Sequence, residues 1–207
     1  MPKMAEAVPM YGPHDALNRI AVVGHSFVVH FEEFVRNDSL LHGNLGLDDT
    51  RVAYFGKGGL RLPQIDRFED GIRSFSPHVI FLILGDNDLY ESAPDVVADR
   101  VLQAHDKLKA WTGGAKIIMF SLFPRFWTSD NYYFTPSYNQ DAIWVNETVT
   151  NRVAQLPRSF TWNCHGPSFT DRRASNYFEA DGVHLKANGQ VKIYQALTKS
   201  YHNFRQF

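Results

Sequence analysis

The chain has 207 residues, 44% of them hydrophobic and 21% charged, with a formal net charge of −1. That length and composition fit one globular domain with a substantial core and exclude a disordered chain. The near-neutral balance gives no electrostatic footprint for nucleic acid, and no basic run marks a membrane surface. The single cysteine, Cys164, excludes an intrachain disulfide. No apolar run approaches the ~20 residues of a membrane helix. The opening "MPKMAEAVPMYGPHDALNR" lacks an apolar core of signal-peptide length, so the expectation is a cytoplasmic protein.

Residues 1–18, with Pro2, Pro9 and Pro13, read as a flexible lead-in, and 19–207 as the domain. The first strand candidate, Ile20–Val23, stops at Gly24 and meets His25 and Ser26. Two readings are open there. Gly24 breaks the strand and Ser26 caps a helix, or Ser26 is a nucleophile held at the carboxyl end of a buried strand. Arg51–Phe55 is the second strand candidate, followed by Gly56, Gly58 and Gly59 and then a helix candidate over Leu62–Ser74. Glycines after a strand make a plain loop, or allow positive φ and close backbone approach to a bound atom.

The third strand candidate, Val79–Leu84, runs abruptly into Gly85-Asp86-Asn87-Asp88. A tight turn would let Asp and Asn satisfy their own backbone. Alternatively Asn87 aims an amide donor into a cleft, or the acids hold a metal. In "PDVVADRVLQAHDKLKAWTGG", Val96, Val97, Val101, Leu102, Leu108 and Trp111 recur at helical spacing before a Gly-Gly stop. After strand candidate Lys116–Ser121 comes an aromatic stretch with Phe123, Phe126, Trp127, Tyr132, Tyr133, Phe134, Tyr138 and Trp144. It reads either as an apolar wall or lid for an acyl chain, or as a long loop packing on its own side chains. A helix over Ala142–Leu156, a strand over Ser159–Trp162 and a helix over Ala187–His202 complete the chain.

Strands alternating with helices predict an α/β fold with a mainly parallel, five-stranded sheet and helices on both faces. In such sheets the working site lies outside the carboxyl ends of the strands. Ser26, the glycine loop and Asn87 fall at those ends, and Asp181 and His184 precede the last helix. Together they supply a nucleophile, oxyanion donors, and a base with its orienting acid. Cys164-His165 also offers a nucleophile and base, but neighbours on a strand point to opposite faces. His30, His78 and His105 have no partner in the sequence that singles them out.

In these four blocks the sequence resembles the SGNH hydrolase superfamily, the GDSL-type esterases and lipases. The first block, usually Gly-Asp-Ser, reads Gly24-His25-Ser26; the second maps to Gly59 in "FGKGGL". The third, Gly-x-Asn-Asp, is complete as Gly85-Asp86-Asn87-Asp88, and the last, Asp-x-x-His, as Asp181-Gly182-Val183-His184. The resemblance runs from about residue 19 to 202. It implies a flavodoxin-like three-layer α/β/α sandwich that hydrolyses esters without a metal or other cofactor. Ser26 would be the nucleophile, His184 the base and Asp181 its support. Ser26, Gly59 and Asn87 would form the oxyanion hole, and the substrate would be a small-molecule or lipid ester.

His25 stands where the family usually has Asp, which puts the shape of the nucleophile turn in question. Candidate substrate contacts are His25, Arg61, Phe126, Trp127 and Tyr133. Arg61 and Arg125 lie near strand ends and could meet an anionic group, although arginine is mostly solvated. The texture of "GHSFV" and "GKGGLRL" also resembles esterase-type domains of animal genomes, some attached to retroelement proteins. Two other classes stay open: a metal-dependent phosphoesterase using Asp86, Asp88, Asp181 and His184, and a catalytically weak or inactive binding or interaction domain on the same fold.

Overall fold

The computed structural model describes residues 8–126, 135–163 and 174–205. Its centre is a six-stranded sheet in the order β1-β3-β2-β4-β5-β6. The strands are β1 (Met10–Tyr11), β2 (Asn18–Gly24), β3 (Thr50–Gly56), β4 (Val79–Ile83), β5 (Lys116–Phe120) and β6 (Ser159–Trp162). β2 to β6 are mutually parallel, and β1 pairs antiparallel on the edge of β3. The five expected strands are all present, and the fold is the expected mainly parallel α/β sandwich.

The sixth strand lies inside the segment read as a lead-in. With Met10 opposite Ala53 and Tyr11 opposite Val52, it is too short to carry any alternation. Side chains hold it: the Tyr11 ring meets Tyr54 edge-on at 5.8 Å, and its hydroxyl donates to Glu32. Burial and the Glu32 carboxylate push the Tyr11 phenol up to about 12.

The helices are α1 (Ser26–Asn37), α2 (Glu69–Phe75), α3 (Pro94–Thr112), α4 (Thr135–Val153) and α5 (Ala187–Phe204). β2 shows why two helical layers form. Ile20 and Val22 point into a cluster with Phe27 and Phe31 of α1 and Ile193 and Leu197 of α5. Ala21 and Val23 point the other way, among Ile72 of α2, Val97 and Val101 of α3 and Val145 of α4. A strand buried on both faces reads as a continuous apolar run, which is how parallel strands appear in sequence.

Three helix boundaries differ from the sequence expectation. α1, one of two readings the sequence left open after Gly24, is capped by His25 and not by Ser26, and it runs through Phe27-Val28-Val29 despite their strand composition because Phe27, Phe31 and Val35 recur at helical spacing and are buried. The Leu62–Ser74 helix is a 3-10 segment, Leu62–Phe68, followed by α2. α4 begins at Thr135, so Tyr138 and Trp144 belong to a helix and not to a loop.

After β2 the chain moves out to β3 and then returns to β4 on the other side of β2. This reversal opens a crevice at the carboxyl ends of β2 and β4, the position where open α/β sheets bind ligands. Gly24 ends β2 against β4 so closely that a Cβ would sit 2.1 Å from the Ile83 carbonyl oxygen. Only glycine fits there, and the next two residues, His25 and Ser26, are thereby set at the crevice.

Candidate active site

Ser26 is the first residue of α1, so its N–H is one of the helix's early donors without an intrahelical acceptor. The dipole of α1 adds positive potential at the same place. His25 is the N-cap: its Nδ1 accepts from the Phe27 N–H at 3.4 Å.

Asp181 and His184 sit on a loop closed by the Phe178–Leu185 bridge and by hydrogen bonds from Glu179 N–H to the His184 carbonyl (2.7 Å) and Gly182 N–H to the Glu179 carbonyl (3.0 Å). Asp181 Oδ1 accepts from the Val183 and His184 N–H groups at 2.8 and 2.9 Å. Its Oδ2 is 2.6 Å from His184 Nδ1. Partial burial pushes the Asp181 carboxyl up, but the His184 ring and the two backbone N–H groups outweigh it, and the net shift is downward. With Nδ1–H donating to this carboxylate, Nε2 is the free acceptor, and it lies 3.3 Å from Ser26 Oγ.

Two further donors come from loops that are stitched together. Leu60 N–H donates to the Lys57 carbonyl at 3.2 Å, closing a turn in which Gly59 has φ +68°. Asn87 Nδ2 donates to the Leu60 carbonyl at 3.0 Å, which leaves its second N–H for the cleft. Asp88 Oδ2 accepts from Leu62 N–H at 3.1 Å, and Arg100 lies 3.6 Å from its Oδ1. Burial is the largest influence on Asp88 and pushes its carboxyl up. His25, Ser26, Phe27, Gly58, Gly59, Asn87, Tyr90, Arg125, Val183 and His184 line one cleft of about 390 Å³. The structure therefore brings Ser26, Gly59, Asn87 and His184 to one cavity, with Asp181 behind His184.

Beneath the cleft lies a pair that the sequence reading did not assemble. His25 and Asp86 are each 1% exposed, with His25 Nε2 2.9 Å from Asp86 Oδ2. Asp86 Oδ1 accepts from Phe123 N–H at 2.7 Å and from the Tyr138 hydroxyl at 3.3 Å. Burial pushes Asp86 up, but the His25 hydrogen bond, the nearby charges and the Phe123 N–H prevail, and its carboxyl is held below the usual range. The departure at position 25 is thus matched by an acid at the variable position of Gly-x-Asn-Asp. His25 caps α1 and clamps the turn that carries Ser26 to the end of β4.

The remaining candidates lie elsewhere. Arg61 is half-buried and pairs with Glu91, away from the cleft lining. Phe126 supports the loop that carries Asp181 and His184: its N–H donates to the Gly182 carbonyl at 2.8 Å, and its ring stacks on Phe178. Trp127 and Tyr133 lie outside the described residues, as do Tyr132, Phe134, Cys164 and His165. His30, which nothing in the sequence marked, has its ring 4.7 Å from that of His184. Arg125 is buried at 6% exposure, not solvated. Asp86 and Asp88 are engaged apart from Asp181 and His184. Among the described residues no group of three or more His, Cys, Asp or Glu side chains is placed to hold a metal ion.

No protein-family model matches the sequence, and no curated protein matches it. Solved structures do share the fold. A protein assigned as an acylhydrolase from Bacteroides fragilis superposes with a TM-score of 0.68 at 16% identity, covering 92% of this chain and 89% of the other. A GDSL-like lipase from Bacteroides thetaiotaomicron gives 0.66 at 15%, covering 92% and 91%. A catalytic mutant of the acetylxylan esterase Axe2 from Geobacillus stearothermophilus gives 0.64 at 12%, covering 89% and 94%. At these identities the likeness is one of fold: an α/β/α sandwich of the kind on which GDSL-type hydrolases are built. Among the described residues no helix is long and apolar enough to cross a membrane.

Proposed function

We propose that the chain is a serine ester hydrolase of the SGNH type, cleaving carboxylic esters through an acyl-enzyme on Ser26. The observation that carries this reading is the continuous relay from Asp181 to His184 (2.6 Å) to Ser26 Oγ (3.3 Å), closed across 158 residues of sequence. His184 Nε2 takes the Ser26 proton as Oγ attacks the ester carbonyl, and Asp181 stabilises the imidazolium that forms. The oxyanion is met by the N–H groups of Ser26 and Gly59 and by the Asn87 amide; these three residues line the same cleft. His184 then protonates the leaving alcohol, and a water deprotonated by His184 releases the acid.

The neighbours support the chemistry: they are an acylhydrolase, a lipase and an esterase by name. Catalytic mutants of the last alter a serine and an aspartate. A cleft of about 390 Å³ lies at the small end of ligand sites and suits a short acyl group better than a long chain. The finer resemblance to retroelement-attached animal esterases involves the same chemistry and is part of this proposal.

The test is labelling by a fluorophosphonate probe, wild type against Ser26→Ala, with and without a chelator. Labelling that requires Ser26 and ignores the chelator is the expected result. A well-folded wild type that takes no label, or a Ser26→Ala variant that labels equally, overturns the assignment.

A further inference from the structure

Arg125 lines the same cleft as Ser26, Asn87 and His184 and is 6% exposed. Its guanidinium carbon lies 5.3 Å from the Tyr90 ring centroid and 5.0 Å from that of Tyr138, so aromatic faces flank it. Its backbone is fixed as well: its N–H donates to Asn139 Oδ1 at 2.7 Å, and its carbonyl accepts from Asn139 Nδ2 at 2.9 Å. Yet Nε and Nη1, both closed off from solvent in the free protein, have no hydrogen-bond partner among the described residues.

The Asp86 carboxylate does not partner these nitrogens. Asp86 Oδ2 is taken by His25, and Oδ1 by the Phe123 N–H and the Tyr138 hydroxyl. Burial works against the Arg125 charge, but Tyr138, which also hydrogen-bonds the guanidinium, and the charge of Asp86 outweigh it and hold Arg125 protonated. A buried cation with unused donors is costly, and native proteins rarely keep one without a use. Apart from Tyr90, which flanks Arg125, the other polar groups on the cleft wall belong to the nucleophile turn, the oxyanion donors and the base.

Resting on the ester-hydrolase reading above, we propose that Arg125 selects substrates that carry an anionic group, a carboxylate, close to the scissile ester. It is a specificity residue, not a member of the proton relay. The small cleft places that carboxylate a few bonds from the carbonyl, on the acyl or the alcohol side.

The experiment compares matched pairs. Ethyl hydrogen succinate against ethyl butyrate puts the charge on the acyl side of a four-carbon acid. 3-Acetoxypropanoate against propyl acetate puts it on the alcohol side. Turnover is read as ethanol release for the first pair and acetate release for the second. One anionic ester should exceed its neutral counterpart in kcat/KM by about 10- to 100-fold, the range of a charged hydrogen bond. In Arg125→Met that ratio should collapse toward one.

The wild-type ratio stands alone if Arg125→Met fails to fold: a ratio at or below one for both pairs overturns the proposal. So does a high ratio that Arg125→Met keeps. Failure of all four esters together with no fluorophosphonate labelling of Ser26 overturns the ester-hydrolase reading itself. Labelling with turnover of neutral esters only overturns the role of Arg125 alone.

Discussion

His25→Asp restores the residue usual in GDSL-type hydrolases, and the structure predicts that it does harm. Position 25 is 1% exposed and faces an equally buried carboxylate at 2.9 Å. Asp is a good N-cap, so α1 keeps its cap. What is lost is the donor to Asp86 Oδ2, and a second negative charge takes its place. Removing one partner of a buried pair costs about 3–5 kcal/mol. For a domain of this size each kcal/mol moves Tm by about 2–4 °C, so the melting point should fall by about 6–20 °C at pH 7.

The pH dependence gives the argument a sign. In the wild type Asp86 is held below its ordinary pKa. Its contribution is therefore full above the unfolded value of about 3.9 and is lost as pH falls through the lower folded value. In His25→Asp, like charges raise one folded carboxyl pKa above the unfolded value. The stability of that variant is fullest below about pH 3.9 and is lost as pH rises through the raised folded value. The deficit between the two proteins should widen from about pH 4 to pH 7. Adding Asp86→Asn to the variant removes the second charge and should narrow it again. Urea denaturation across pH reads all three proteins. A His25→Asp variant within about 1 kcal/mol of wild type at pH 7, or a deficit that Asp86→Asn leaves in place, would refute the reasoning.

In the proposed mechanism Asn87 is an oxyanion donor, so Asn87→Ala should lower kcat by about 10²–10³ in steady-state ester hydrolysis. Asp181→Asn leaves the loop bonds to Val183 and His184 an acceptor but removes the charge behind the imidazole; kcat should fall on the order of 10⁴. Gly59→Ala meets no atom within 4 Å at its new Cβ but must hold φ +68°, so it should cost about 1–2 kcal/mol in chemical denaturation. Gly24→Ala, in contrast, drives a Cβ to 2.1 Å from the Ile83 carbonyl oxygen and should yield no cooperatively folded protein by calorimetry.

The parts legible in the sequence are those governed by local pattern. Strands buried on both faces read as continuous apolar runs, and their carboxyl ends were marked by the residues that interrupt them. This is why the sequence alone puts Ser26 and Asn87 on one rim. His184 could be assigned with them because Asp181 stands three residues away, a spacing at which a tight loop returns the carboxylate to Nδ1. What the sequence concealed depends on partners far along the chain. His25 and Asp86 meet across 61 residues, and nothing within either block announces the other. Arg125 was read as a solvated arginine because most arginines are; its burial comes from Tyr90 and Tyr138, which reach it from two other segments. β1 is held by Tyr11 against Tyr54 and Glu32, contacts that two residues of strand cannot signal.

In the proposed mechanism the Gly-x-Asn-Asp block serves both architecture and chemistry. Asn87 spends one amide hydrogen on the Leu60 carbonyl, and Asp88 takes the Leu62 N–H. These bonds fix the loop that carries Gly59 relative to the loop that carries Asn87, so the two donors keep a constant separation. A third tie comes from Asp86, which binds the same turn to His25 below Ser26. Three successive side chains thus fasten the end of β4 to the end of β3 and to the start of α1. A charge relay alone would need only Asp181, His184 and Ser26. An oxyanion site also needs its donors to stay fixed while the carbonyl becomes tetrahedral, because donors already in place need no reorganisation when charge develops.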